Sequence, residues 1–327
     1  MTRMGPLALL AAVIACAIPL FAQDATVCTD CHEDKKVHAE SVHKNLACSG
    51  CHEGFKDYPH PEPAANEDSP IARSRIVSMC ARCHGNLKFV DDNRIPGRLL
   101  PVINYQQSVH GEAVAGGKLG AAICTDCHNS HEILPPNDSR SKVSRANAPA
   151  TCGQCHTSEF TQYQRSVHGV ATAQGKSGAP TCTDCHGIHS ITHPGEVRES
   201  DAEKALGKTS CSRCHDSEVL SREYSLPTDR VRSYLDSYHG LAVKRGSVAV
   251  ANCASCHGVH KILASSDPES LINPANLPGT CGQCHPGAGD NFARGAVHQI
   301  PGSRGSRAVG VAEGRDELKG ARMRVAG

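Results

Sequence analysis

The chain has few of the large side chains from which protein cores are usually built. Aromatic residues make up 3% of its 327 residues, and tryptophan is absent. Methionine occurs only at Met1, Met4, Met79 and Met323. The formal net charge is +1, so the charge of the polypeptide indicates no class of partner. The length would allow an ordinary core, but this composition favours a chain that folds around something other than its own aromatic side chains.

Cysteine, by contrast, is abundant and regularly placed. Of the 19 cysteines, 18 fall in nine copies of Cys-x-x-Cys-His, and only Cys16 lies outside them. The motif cysteines are Cys28, Cys31, Cys48, Cys51, Cys80, Cys83, Cys124, Cys127, Cys152, Cys155, Cys182, Cys185, Cys211, Cys214, Cys253, Cys256, Cys281 and Cys284. The motif histidines are His32, His52, His84, His128, His156, His186, His215, His257 and His285. No thiol is left for a structural disulfide.

Pairs of cysteines at this spacing also occur in zinc sites and in thiol oxidoreductases. A structural zinc site needs the pairs grouped into four-ligand sets, and a thioredoxin-like site needs one pair in a βαβ setting. Neither explains a histidine after the second cysteine in all nine copies. Two cysteines three residues apart form thioethers to the two vinyl groups of one haem, and the adjacent histidine then binds the iron from one face. The sequence therefore predicts nine covalently attached c-type haems.

Eleven further histidines provide enough second axial ligands for nine irons. They are His38, His43, His60, His110, His131, His168, His189, His193, His239, His260 and His298. Methionine, the usual alternative ligand, is nearly absent. The haems are therefore expected to be mostly bis-histidine, low-spin and of low potential.

Three segments, residues 108–134, 166–191 and 237–263, are copies of one unit. Together with a degenerate first copy, they predict dihaem modules at about 41–84, 108–156, 166–215 and 237–285. Glycines 111, 169 and 240 follow a histidine and predict helix ends. We expect a mainly α fold with few short helices and much irregular structure, in which nearby aromatic side chains pack against haem faces.

Constant spacings within the modules predict how the second ligands are distributed. The first histidine of each module precedes the next motif by 14 residues, which assigns His110, His168 and His239 to the irons of His128, His186 and His257. In a helical turn, the histidine of Cys-His-x-x-His points from the same side as the motif histidine and cannot reach the far face of its own haem. A spacing of 21 to 22 residues then assigns His131, His189 and His260 to the irons of His156, His215 and His285.

The first haem needs a ligand from outside this scheme. In the degenerate first module, His43 and His60 are predicted to serve the irons of His52 and His84. His298 is then expected to bind the iron of His32, within one chain or across to a second subunit. In an alternative assignment, His43 serves the first haem and His298 another one.

Both ends of the chain have a separate character. Residues 1–22 are expected to be an export signal, because Arg3 precedes an apolar run that ends in a small residue, Ala22. A lipoprotein anchored through Cys16 is an alternative. Residues 23–298 are predicted to form the nonahaem cytochrome domain, and the Gly- and Arg-rich residues 299–327 a flexible tail.

Several strings resemble a known family. Cys-Gly-Gln-Cys-His, Ser-Val-His-Gly and Cys-Thr-Asp-Cys-His-Gly-x-His are similar to the periplasmic multihaem cytochromes c of the doubled-CxxCH type. The resemblance covers about residues 28–298. It implies a respiratory partner, namely a separate membrane cytochrome b that exchanges electrons with quinones.

The function expected from these observations is electron transfer in the periplasm or at the cell surface. The protein would relay electrons between a quinone-linked membrane complex and a terminal reductase or extracellular acceptor, and it is expected to be a carrier rather than an enzyme. A multihaem reductase of nitrite, hydroxylamine or a sulfur oxyanion is the second hypothesis, and it requires an iron with an open position. A subunit of an extracellular cytochrome filament is the third.

Overall fold

A computed structural model describes residues 24–53, 55, 72–95, 101–192, 210–247, 249–294 and 298. These parts of the chain are helical, contain no strand and include long irregular connections, so the predicted fold class is confirmed. The predicted export signal and tail lie outside the described residues. None of the described helices is long and apolar enough to cross a bilayer.

Most of the helices are only one or two turns long. They are α1 (Asp24–Cys31), α2 (Arg73–His84), α3 (Leu87–Asp92), α4 (Pro101–Gln106), α5 (Val109–Ala115), α6 (Cys124–His128), α7 (Ala148–Gly153), α8 (Thr157–Arg165), α9 (Val167–Ala173), α10 (Cys182–His186), α11 (Ser212–His215), α12 (Glu218–Glu223), α13 (Arg230–Leu235), α14 (Tyr238–Lys244), α15 (Cys253–His257), α16 (Leu277–Gly282) and α17 (Asp290–Ala293). Two 3₁₀ helices, Glu33–Glu40 and Cys48–Gly50, lie between α1 and α2.

The apolar core formed by the protein itself is small. Apart from proline and glycine, only nine apolar residues in the described part of the chain are buried, and they are Val90, Val102, Ile123, Leu134, Ala148, Ala179, Tyr234, Val243 and Leu263. Because isolated helices of this length are marginal in water, the fold needs another source of stability.

A serine begins a helix in each of the three full modules. Ser108 precedes α5, its hydroxyl accepts a hydrogen bond from the amide of Gly111 at 3.1 Å, and it donates to the carbonyl of Tyr105 at 2.6 Å. Such N-caps typically contribute about 1 kcal/mol. Ser166 before α9 and Ser237 before α14 make the same bonds.

The glycines of this repeat therefore lie in the first turn of a helix, and the prediction that they end a helix is wrong. The position is occupied by glycine because the new helix turns back and packs closely over the preceding helix. A Cβ atom at Gly111, Gly169 or Gly240 would lie 2.0 to 2.1 Å from the carbonyl oxygen of the tyrosine six residues earlier. Only glycine fits at so close an approach.

The same tyrosines fix the start of the next cysteine motif. The hydroxyl of Tyr105 donates to the carbonyl of Ala122 at 2.7 Å, two residues before Cys124. Tyr163 and Tyr234 make the equivalent bonds to Pro180 and Ala251, both at 2.9 Å. These phenols therefore hold the backbone in place, a role that packing against a haem face alone would not supply.

Successive modules are joined through their backbones. The residue after each module's serine donates its amide to an isoleucine carbonyl of the following module, in the pairs Val42 to Ile133, Val109 to Ile191 and Val167 to Ile262, all at 2.9 Å. Glu40 pairs with Arg140, and Arg165 with Glu269, near two of these bonds. The isoleucine stands two residues after the histidine of Cys-His-x-x-His, so these bonds bring that histidine to the preceding module.

Replacing Gly111 by alanine is expected to destabilise the protein by about 3 kcal/mol, the upper part of the range for overpacking, because the added methyl group collides with backbone. The measurement is the midpoint of thermal or denaturant unfolding of the haem-loaded protein. Gly120 of the same module is the matched control, since a Cβ atom there meets nothing within 4 Å. Equal effects of the two alanines would contradict the close approach.

Candidate haem sites

The cysteine motifs of three modules form single helical turns. In α6, α10 and α15 the two cysteines and the histidine stand at positions i, i+3 and i+4, which places all three on one face. The side chain of the third residue of each helix accepts a hydrogen bond from the backbone amide of the residue just before the helix. Asp126 Oδ2 accepts from the amide of Ile123 at 2.7 Å, and Asp184 Oδ2 accepts from Thr181 at 2.7 Å.

Each of these helices ends at its motif histidine because the next residue has a positive φ. The angles are 65° at Asn129, 82° at Gly187 and 78° at Gly258. This conformation breaks the helix, so the histidine two positions further on leaves the helical face. The predicted helical turn from His128 to His131 is therefore not formed.

Eight motif histidines each face one other histidine, with ring centres 5.9 to 6.2 Å apart. The pairs are His52 with His131, His84 with His43, His128 with His189, His156 with His110, His186 with His260, His215 with His168, His257 with His298, and His285 with His239. Two imidazoles on opposite sides of one metal, each with a bond of about 2 Å and about 1 Å from nitrogen to ring centre, give roughly 6 Å. The spacing therefore fits bis-histidine ligation of an iron.

The pairing predicted from the spacings is wrong, although the eight second histidines were all among those predicted. His110, His168 and His239 lie against His156, His215 and His285, the second motif of their own module and not the first. His131, His189 and His260 lie against His52, His128 and His186, the first motif of the preceding module. The backbone bonds between modules explain this, because they carry each Cys-His-x-x-His segment back onto its predecessor.

The assignments at the two ends are corrected as well. His43 lies against His84 instead of His52, and His298 lies against His257 instead of His32. The alternative is right that His298 serves another site and wrong in giving His43 to the first. His298 Nδ1 is 2.9 Å from the carbonyl oxygen of Arg230, so a proton on Nδ1 leaves Nε2 for a metal.

The second ligand of the first motif is not assigned by the described residues. His38 lies in the 3₁₀ helix Glu33–Glu40, whereas His60 and His193 lie outside the described residues. Burial is the larger cause of the lowered pKa of His52, and the nearby His32 lowers that pKa further.

Burial favours the neutral form of several of the paired imidazoles. Burial, together with the smaller effect of the facing histidine, lowers the pKa of His128 and of His168 to about 4. Burial also lowers the pKa of His84, His186, His189 and His215. A neutral imidazole has the lone pair that a metal needs, so these rings are prepared for ligation at neutral pH.

The sites adjoin one another in the order of the chain. The side chains of Cys80 and Cys124, Cys152 and Cys182, and Cys211 and Cys253 lie within hydrogen-bonding reach of each other. We call these the three close junctions, and each joins the second motif of one module to the first motif of the next. Cysteines of the two motifs within a module also lie near each other, in the pairs Cys51 with Cys83, Cys127 with Cys152, Cys185 with Cys211, and Cys256 with Cys281.

These residues fit haem and do not fit zinc. In the described parts of the chain no three histidine, cysteine or acidic side chains converge on a point that would hold a metal ion, as a four-ligand zinc site requires. Apolar side chains beside the second histidines are instead exposed, including Ile188 at 67%, Val259 at 65% and Tyr238 at 93%. A large apolar ring bound between the histidines would cover such side chains.

Comparison with known proteins supports the same cofactor. The family described as "Doubled CXXCH motif" matches residues 112–161 and 170–220, which is less than a third of the chain. Each match contains both motifs of one module. No curated protein and no solved structure matches the chain. The matched motifs indicate covalently bound c-type haems and support a multihaem cytochrome c that transfers electrons.

Changing His131 to alanine is expected to convert one low-spin haem, the one attached to Cys48 and Cys51, to high spin, because His131 faces His52. Low-temperature EPR detects the new signal. The altered haem is identified by repeating the substitution in a protein in which Cys48 and Cys51 are alanine.

In that background His131→Ala should add no further high-spin signal. His110→Ala is the matched control, and its signal should persist there because His110 faces His156. A His131→Ala signal that remains after loss of the Cys48 and Cys51 haem would contradict the pairing.

Proposed function

We propose that the protein is an electron-transfer cytochrome that carries nine c-type haems in a continuous row. The observation that supports this most strongly is the combination of eight facing histidine pairs with attachment sites that adjoin in chain order. The bound haems supply one-electron redox chemistry. The chain supplies their order, and at each paired site two histidines would hold the iron.

The protein's own residues fit the role of a carrier. Three of the pairs, His52 with His131, His128 with His189 and His186 with His260, bring together segments of successive modules that backbone bonds tie to each other. Short distances between successive sites are what a relay needs. Neither feature requires a substrate pocket.

The reductase hypothesis depends on an iron with an exchangeable position. At the eight paired sites a second imidazole already faces the motif histidine. For the site of His32 we propose a histidine drawn from His38, His60 and His193. The reductase hypothesis therefore has less support than electron transfer.

The filament hypothesis receives no support from His298. A ligand shared between subunits was one expectation for this residue, but His298 lies against His257 of its own chain.

We further propose that the protein works in the periplasm or at the cell surface. The support is the apolar run of residues 1–22 with Arg3 before it, together with covalent haem, which is attached outside the cytoplasmic membrane. A quinone-linked membrane complex, such as a separate cytochrome b, is the proposed donor or acceptor on one side. A terminal reductase or extracellular acceptor is proposed on the other.

Low-temperature EPR of the oxidised protein is expected to show low-spin signals only, because paired imidazoles keep iron low-spin. Mass spectrometry of the same sample should give the mature chain plus nine haems. A high-spin iron that binds nitrite, hydroxylamine or a sulfur oxyanion would instead favour the reductase. Fewer than nine haems would show that some motifs are not used.

A further inference from the structure

Arg73 joins the helices that carry two successive attachment sites. It is the first residue of α2, which also contains Cys80. Its guanidinium donates to both carboxylate oxygens of Asp126, with Nη1 to Oδ1 at 2.9 Å and Nη2 to Oδ2 at 2.5 Å. Asp126 stands in α6, two residues after Cys124. A planar, two-bonded contact of this kind fixes orientation as well as distance.

The same guanidinium also holds the loop that leads into α6. Nε donates to the carbonyl of Leu119 at 2.9 Å, and Nη2 donates to that of Ala121 at 2.8 Å. Asp126 in turn accepts from the amide of Ile123 and so caps the helix. One arginine therefore fixes both the approach to the cysteine motif and its first turn.

The next close junction repeats this arrangement. Arg145, seven residues before Cys152, contacts both carboxylate oxygens of Asp184 at 3.1 and 3.0 Å. It also donates to the carbonyl of Ala179 at 2.7 Å. Asp184 lies two residues after Cys182, as Asp126 does after Cys124. The interval from Arg73 to Cys80 is likewise seven residues, so the two contacts are equivalent.

The third close junction, between Cys211 and Cys253, differs. Ser255 stands where the other two have aspartate, and its hydroxyl accepts from the amide of Asn252 at 3.1 Å. The helix cap is kept without a carboxylate, so the cap alone does not require the acid. The aspartate at the first two junctions is therefore explained by its arginine partner.

We propose that Arg73 and Arg145 are positioning residues that set the geometry between successive haem sites at the first two close junctions. The proposal rests on the electron-transfer function proposed above and assigns part of it to particular residues. Both ion pairs are partly exposed, and such pairs contribute at most about 1 kcal/mol to stability. Their effect is expected in the relation between neighbouring haems and much less in unfolding.

Arg73→Lys is the decisive variant, because lysine keeps the positive charge and loses the two-bonded contact. With nine haems confirmed by mass spectrometry, EPR and a redox titration are recorded. We expect changed midpoint potentials and altered spin coupling for two of the nine haems, those attached through Cys80 and Cys124. Arg145→Lys should change a different two, those attached through Cys152 and Cys182.

Arg165→Lys is the control, since Arg165 also forms an ion pair between modules, but with Glu269, which belongs to no cysteine motif. It should leave all nine potentials unchanged. The variant Asp126→Asn should reproduce the Arg73→Lys change, and the double variant should add little to it, because both remove one contact.

Wild-type potentials and spin coupling in both lysine variants would overturn the proposal, whether or not thermal stability falls. A change in Arg73→Gln without one in Arg73→Lys would also overturn it, because charge alone would then be responsible. Failure of the proposed function is recognised separately, in the wild-type protein, by fewer than nine haems or by an iron open to substrate.

Discussion

The facing of two imidazoles from distant parts of the chain is the constraint on which this structure depends. Each pair must hold its ring centres about 6 Å apart. Its two histidines belong to different modules or are separated along the chain by another cysteine motif. The short helices cannot impose this spacing by themselves, and the described part of the chain buries few apolar residues that could stabilise it. We therefore expect bound haem to supply much of the folding free energy, as metal does in small metal-dependent domains.

Because ligands cross module boundaries, the modules are not independent units. Each boundary between described modules carries a histidine pair, an amide-to-isoleucine bond and a close approach of two cysteines. In an array of this type, stability depends on the interfaces between neighbours as much as on the units. Losing one haem should therefore weaken the preceding and following modules too.

Sequence patterns identified the helical class and the histidines that face each other, but they did not identify the partners. The 14-residue spacing from His110 to Cys124 is constant because a module is a rigid unit with a tyrosine tie, and that constancy holds whichever haem His110 serves. Likewise, Gly111 was mistaken for a helix end, since the sequence does not show that a second helix begins three residues earlier, at Ser108. Long-range contacts such as Val42 with Ile133 leave no local signal.

The orientation of the paired rings follows from the local backbone around each second histidine. His131, His189 and His260 follow a residue with positive φ, and their rings lie nearly parallel to their partners, at 11°, 16° and 24°. His110, His168 and His239 stand in the first turn of a helix, and their rings are tilted by 37° to 47°.

The pair of His257 and His298 shows what sets the angle between the rings. The angle could depend on the motif that carries the first histidine or on the backbone around the second histidine. It faces His257, which belongs to the same class of motif as His128 and His186, but it is not part of a Cys-His-x-x-His segment. Its ring is tilted by 50° and is not parallel. The backbone of the second ligand therefore determines the orientation. Since the two kinds of second ligand alternate along the row of sites, two ligand geometries alternate with them from His52 to His215.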